Sequence, residues 1–138
     1  LSVTGPEHSI QYVNYQLALG IVAVMGHLFP IFAGFRGGKG IATLFGMILA
    51  VHLPAALLCV LVFVIVLLLT KYVSLSSISA GFTFTLSVIF IYQVSVKAIV
   101  IYGMCICILI LVTHQKNIER LLRGTESKVN LFKKKTSQ

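Results

Sequence analysis

Acidic residues are almost missing from this chain. Glu7, Glu119 and Glu126 stand against eleven lysines and arginines. Hydrolysis by a carboxylate pair needs two acids flanking one bond, and Glu7 falls at the opposite end of the topology from the other two. No Ser-His-Asp arrangement is evident either. Charge of both signs is scarce, at 10% of residues against roughly 25% in soluble domains. Cysteine is limited to Cys59, Cys105 and Cys107, all within apolar runs. An odd number in such places excludes a disulfide framework. Cys105 and Cys107 are two apart and do not share a helical face. No metal-ligand spacing is present, so the cysteines read as small apolar packing residues. A Walker-type loop is absent too: Ala33 stands five before Gly38, Gly40 follows Lys39, and no strand precedes them. The chain opens on Leu1, carries no signal-peptide pattern, and its start reads as cut.

What fills the sequence instead is apolar. The hydrophobic fraction is 58% and the mean hydropathy +1.01, arranged in long runs without a polar face. That defines an integral membrane protein; a soluble helical protein needs a polar stripe on most helices. The net charge is +8 and the pI about 9.7. Aromatics lie inside the apolar spans and not among the basic clusters, which excludes a nucleic-acid surface. The basic residues serve the positive-inside rule and attraction to anionic lipid.

Residues 1–11 read as a polar loop with Gly5 and Pro6. The spacing predicts an apolar pass over 12–29, ended by Pro30. A glycine-rich loop follows. Residues 41–70 hold no charge and are interrupted by His52 and Pro54. One helix of that length would measure about 45 Å, too long for a single span without heavy tilt. Two helices meeting at His52, Leu53 and Pro54 are the alternative, and charge decides for it. With passes at 12–29, 41–52, 54–70, 75–92 and 96–113, ten of the eleven basic residues share one side and Lys97 alone lies on the other. The prediction is therefore an all-α integral membrane protein with five transmembrane helices. Its N-terminus is outside, and the loops at 30–40 and 71–77 and the C-terminus are cytoplasmic. The helix over 41–52 is short and is expected to shelter among its neighbours. Ile118, Leu121 and Leu122 recur at helical spacing, predicting an interfacial amphipathic turn or two, with Gly124 as its stop. A membrane domain over 1–126 and a basic tail over 127–138 complete the layout.

Three polar clusters gather on the cytoplasmic side. Residues 26–43 hold five glycines with His27, Arg36 and Lys39. Glycine is costly in a helix, and a glycine-rich turn can turn backbone N–H groups toward an anion. A helix starting near Gly40 aims its positive end at the same place. A loop of positive-inside charges is the alternative. Ser76 and Ser77, near Lys71, either cap a helix start or bind substrate. His114, Asn117 and Arg120 are three apart and share a helix side; they offer an acid or base, a hydrogen-bonding amide and a phosphate clamp, or a polar helix end among headgroups. His8 and His52 lie on the far side. With so few acids, attack on an already activated substrate fits best.

These residues resemble the bacterial PlsY-type acyl-phosphate:glycerol-3-phosphate acyltransferases. One family motif, G-H-x-F-P-x-F-x-x-F-[KR]-G-G-K-G-x-A-T, stands intact at residues 26–43. Another, H-x-x-N-I-x-R-L-x-x-G-x-E, stands at residues 114–126, and Lys71, Tyr72, Val73, Ser74 and Ser77 match a stretch between them. The resemblance implies acyl transfer from acyl phosphate to the sn-1 hydroxyl of glycerol 3-phosphate, giving lysophosphatidic acid for phospholipid synthesis in the bacterial inner membrane. It assigns glycerol phosphate binding to Gly37, Gly38 and Lys39, and the charges of Arg36 and Arg120 are read as further phosphate-binding groups. Catalysis or substrate binding falls to Ser76, Ser77, His114 and Asn117. His27, Gly40 and Thr43 support the site, and Glu126 takes a structural role. It implies no cofactor and no metal; partners are the two substrates and membrane lipid. The family's H-x-x-x-x-D-free pattern is kept. Its first motif, G-S-G-N-x-G-x-T-N, is not found, so the chain corresponds to the last five of seven passes. A small anion transporter or channel subunit is the alternative, disfavoured because the spans carry almost no charge.

Overall fold

The computed structural model describes residues 6–31, 34 and 38–130. Among the described residues the regular structure is all helical: α1 over Pro6–Leu28, α2 over Ile41–Val51, α3 over Leu53–Thr70, α4 over Val73–Leu86, α5 over Lys97–Thr113 and α6 over Gln115–Leu122. A π-helical segment, Ser87–Ile91, continues α4. Arg36 and Gly37, expected in the anion loop, lie outside the described residues.

Each joint has a local cause. His52 closes α2, its N–H donating to the Ile48 carbonyl at 2.9 Å. It then opens α3, its Nδ1 accepting from the Ala55 N–H at 3.2 Å. Pro54 falls in the first turn of α3, where a missing N–H costs nothing. The break predicted at 52–54 is thus a real joint. At the other end of α3, Lys71 turns the chain in the left-handed region, φ 61°, and α3 and α4 pair side by side. Gly81 and Gly103 let α4 and α5 approach closely: a Cβ on Gly103 would meet Thr85 Oγ1 at 3.2 Å. Thr85 donates to the Gly103 carbonyl at 2.7 Å across that seam. Small residues and interhelical hydrogen bonds of this kind hold helices together in lipid. Phe84, Val88, Ile106, Ala55 and Ala56 fill the centre.

The expected loop over 1–11 is corrected from residue 6 onward; residues 1–5 lie outside the described residues. Helix α1 begins at Pro6, since proline presets the helical φ in a first turn and needs no intrahelical donor there. The last helix does not run straight on into the interface. α5 and α6 meet at 64°, so α6 lies well away from the α5 axis. Gly124, φ 69°, ends α6 as predicted: its N–H reaches the Leu121 carbonyl at 3.1 Å and the Thr125 N–H the Arg120 carbonyl at 2.9 Å, the Schellman pattern.

The protein is an all-α membrane protein. Leu53–Thr70 and Val73–Ile91 are long and apolar enough to cross a membrane, and the bent pair α5–α6 adds a third span if read as one. α2 has 11 residues, about 16 Å, roughly half of a ~30 Å hydrocarbon core; Leu44, Met47 and Ile48 bury it among its neighbours. α1 has the length, but Gln11, Asn14 and Gln16 dilute its first half. Leu57, Leu61, Ile65, Leu68 and Leu69 stand exposed along α3, an apolar face of a size that soluble monomers avoid.

Candidate active site

The helices alternate in direction, so the C-terminal ends of α1, α3 and α5 meet the N-terminal ends of α2 and α4. All the described candidate residues gather at that end. The opposite end holds His52, whose ring lies 4.7 Å from that of Tyr92, and Lys97.

Gly38, at the end of the glycine loop, lies against His27. A Cβ on Gly38 would sit 2.6 Å from His27 Nε2, so any side chain at 38 would have to push that ring aside. His27 Nδ1 is 3.3 Å from Thr43 Oγ1 in the first turn of α2. Gly40 is the N-cap of α2 in the left-handed region, φ 72°. Histidine, two glycines and threonine thereby tie the end of α1 to the start of α2, and Lys39 projects between them.

Lys39 Nζ donates to Asn117 Oδ1 across the site. The other side of that amide, Nδ2, donates to Glu126 Oε1 at 2.8 Å. Glu126 also accepts from Ser74 Oγ at 2.6 Å and from Arg120 Nε at 2.6 Å. The carboxylate is 6% exposed and the Arg120 side chain 48%. Hydrogen bonds from Arg120, Ser74 and Asn117 hold the Glu126 carboxyl down at about 2. It is a fully ionised anchor for three donors.

His114 sits at the corner between α5 and α6, 2% exposed. Its Nδ1 lies 3.0 Å from the Ile110 carbonyl. A carbonyl only accepts, so Nδ1 carries the hydrogen and Nε2 of the neutral ring keeps its lone pair. Burial, with the Lys39 charge nearby, pushes the His114 pKa below its ordinary value. The result is a neutral imidazole with one basic nitrogen beside an ammonium group.

The two serines behave otherwise than helix caps. Ser76 Oγ donates to the Tyr72 carbonyl at 2.8 Å and Ser77 Oγ to the Val73 carbonyl at 3.0 Å. Ser76 is fully buried. Ser77 lines an apolar groove of about 440 Å³ between α2, α3, α4 and α5, whose other walls include Ile41, Phe45, Phe63, Gly81 and Ile110. The hydroxyl that reaches the charged cluster is that of Ser74. Sequence reasoning quoted Ser74 within a motif but gave it no role. The groove was missed as well, since nothing in uniformly apolar helices marks where packing leaves space.

Fold and site together define a class: a polytopic helical membrane protein with a cationic, hydrogen-bonded site at one end and an apolar groove beside it. The family model described as glycerol-3-phosphate acyltransferase matches residues 3–124, and the chain belongs to that family. Glycerol-3-phosphate acyltransferase 2 of Thermotoga maritima is 40% identical over 114 residues, covering 83% of this chain and 57% of the relative. Glycerol-3-phosphate acyltransferase 2 of Bacillus anthracis is 42% identical over 113 residues, covering 82% and 58%. Crystal structures of PlsY (YgiH), an integral membrane glycerol 3-phosphate acyltransferase, match at 36% identity over 80% of this chain. The glycerol 3-phosphate form superposes with TM-score 0.72 over 54% of that protein. The lysophosphatidic acid form gives 0.74 over 55%. The chain thus spans a little over half the length of the relatives it matches. The transporter alternative finds no support among them.

Proposed function

We propose that this chain carries the substrate-binding and proton-accepting part of an acyltransferase that moves a fatty acyl group from acyl phosphate to the sn-1 hydroxyl of glycerol 3-phosphate. The observation that carries the reading is the convergence of Lys39, Asn117, His114 and Glu126 at one end of the helices, next to a groove headed by Ser77. Lys39 and Arg120 bind the phosphate of glycerol 3-phosphate, with the backbone of Gly38 beside them; Arg36 and Gly37 complete the loop. The acyl chain lies in the groove, which presents its carbonyl near Ser77.

The chemistry is short. The sn-1 oxygen forms a bond to the acyl carbon and the bond from that carbon to the phosphate oxygen breaks. Phosphate leaves with the electron pair, and the hydroxyl proton passes to His114 Nε2. The mixed anhydride is already activated, so positioning and charge supply most of the effect. The product, lysophosphatidic acid, stays in the bilayer by its single chain. The site faces the cytoplasm at a bacterial inner membrane, with residues 1–126 as the membrane domain and 127–138 as a basic tail; the basic residues at this end support that orientation.

Lys39→Ala tests the reading. In proteoliposomes, binding of glycerol 3-phosphate is expected to weaken by about tenfold or more, as for the loss of a charged hydrogen bond. Occupancy of the groove by an acyl phosphate analogue stays the same. Unchanged glycerol 3-phosphate affinity would remove the loop from the site.

A further inference from the structure

The three serines at the start of α4 divide by where their hydroxyls go. Ser76 and Ser77 donate to carbonyls of their own helix. Ser74, 6% exposed, leaves its helix and donates at 2.6 Å to Glu126, 52 residues further on. Glu126 is held on both sides in the chain. Gly124 and Thr125 fasten it to the end of α6, and the Val129 N–H donates to the Lys71 carbonyl at 2.8 Å. Lys128 Nζ lies 5.4 Å from the centre of the Tyr72 ring. Residues 124–129 thereby form a strap laid across the α3–α4 turn. The carboxylate at its middle docks on the first turn of α4, where the helix dipole favours negative charge.

The orientation of Asn117 follows from this carboxylate. Its amide stands between Lys39 and Glu126. With the amide reversed, its NH2 group would face an ammonium and its oxygen a carboxylate, two repulsive contacts. The chemistry allows one orientation: NH2 toward Glu126, oxygen toward Lys39. The place of the Lys39 ammonium therefore depends on where the Glu126 oxygens are. Oε2 is taken by Arg120, which is half exposed and free to follow a moving carboxylate. Oε1 is shared by Ser74 and Asn117. Of the three donors, Ser74 is the one fixed to a packed helix by a short, stiff side chain.

We propose that Ser74 is a positioning residue: through Glu126 it orients the Asn117 amide and so holds Lys39 where a phosphate group is received. The chain of contacts runs Ser74, Glu126, Asn117, Lys39. Ser74 touches no substrate. Its role as a site residue rests on the reading of Lys39 as a phosphate ligand, but the relay itself is a property of the unliganded protein.

The test separates the two. The rate at which an amine-directed reagent labels Lys39 is measured by mass spectrometry on the whole chain in proteoliposomes, alongside glycerol 3-phosphate affinity and thermal unfolding. Ser74→Ala is expected to speed Lys39 labelling by about threefold to tenfold, the loss of part of a charged hydrogen bond. Ser74→Thr keeps the hydroxyl and restores the wild-type rate. Glu126→Gln follows Ser74→Ala. Labelling of Lys97, at the other end, stays constant and controls for general loosening. Equal Lys39 rates in Ser74→Ala and wild type overturn the proposal, and so do equal increases in Ser74→Ala and Ser74→Thr. A labelling response without any glycerol 3-phosphate binding in the wild type keeps the relay and discards the assigned ligand.

Discussion

At the residue scale the site is a set of opposed charges held apart by one amide. Lys39 and Glu126 do not meet; Asn117 stands between them and satisfies both. Such an arrangement leaves the ammonium available to a ligand, because an amide oxygen is a weaker partner than a phosphate. The same arrangement governs the protonation of the site. Glu126 is held at about 2, below its ordinary 4.5. Its contribution to stability is therefore complete above pH 4.5 and lost as pH falls from there toward 2; thermal unfolding in detergent across that range reads it. The His114 pKa is lowered by burial and by Lys39, so its ring is neutral at pH 7; the proton-accepting role proposed for it predicts an acid limb of turnover below the ordinary histidine value. Lys39→Met removes one of the two lowering causes. The His114 ring, followed by NMR, is expected to titrate at higher pH in that variant than in the wild type. An unmoved or lowered titration would separate the two residues. Ser74 shows why part of this was hidden: three serines within four positions look alike in sequence, and only the fold tells which hydroxyl leaves its helix.

At the scale of elements, the joints were legible where chemistry punctuates the chain. Pro54 beside His52, Pro30 with the glycines after it, and Gly124 all mark helix limits by removing a donor or permitting a positive φ. The start of α1 was not legible, because its first residues are polar and lack apolar periodicity. Nor was the π-helical end of α4 over Ser87–Ile91. The groove belongs to this scale. Its wall at Gly81 faces Ile110 so closely that an added Cβ would collide with the isoleucine end. Gly81→Ala must therefore displace Ile110, a side chain that lines the same groove. The expected result is a KM for acyl phosphate raised severalfold, with the KM for glycerol 3-phosphate unchanged. A rise in both would show that Gly81 acts through the packing of α4 on α5 more than through the shape of the groove.

At the scale of the whole molecule, alternating helices deliver residues from four separate stretches to one end. Charge counting anticipates this, since it places the basic residues of those stretches on a single side. It also separates a short α2 from a longer α3, but it could not show that α6 turns away from α5 by 64°. The sidedness is directly measurable. Lys97→Cys and Lys128→Cys, at opposite ends, are expected to react with a membrane-impermeant maleimide from opposite faces of oriented vesicles. Buried Cys59 stays silent, and exposed Cys105 is replaced by serine beforehand. Reaction of both from one face would overturn the five-pass arrangement.

The strap over residues 124–129 has a practical consequence for anyone handling this protein. Val129 is bonded to the α3–α4 turn, and Glu126 is three residues before it. A purification tag or fluorescent fusion joined close behind Val129 would pull on the carboxylate that holds Asn117 and, through it, Lys39. A reporter placed there is best regarded as a handle on the site: with a short linker it perturbs affinity, and with a long one it becomes a bystander.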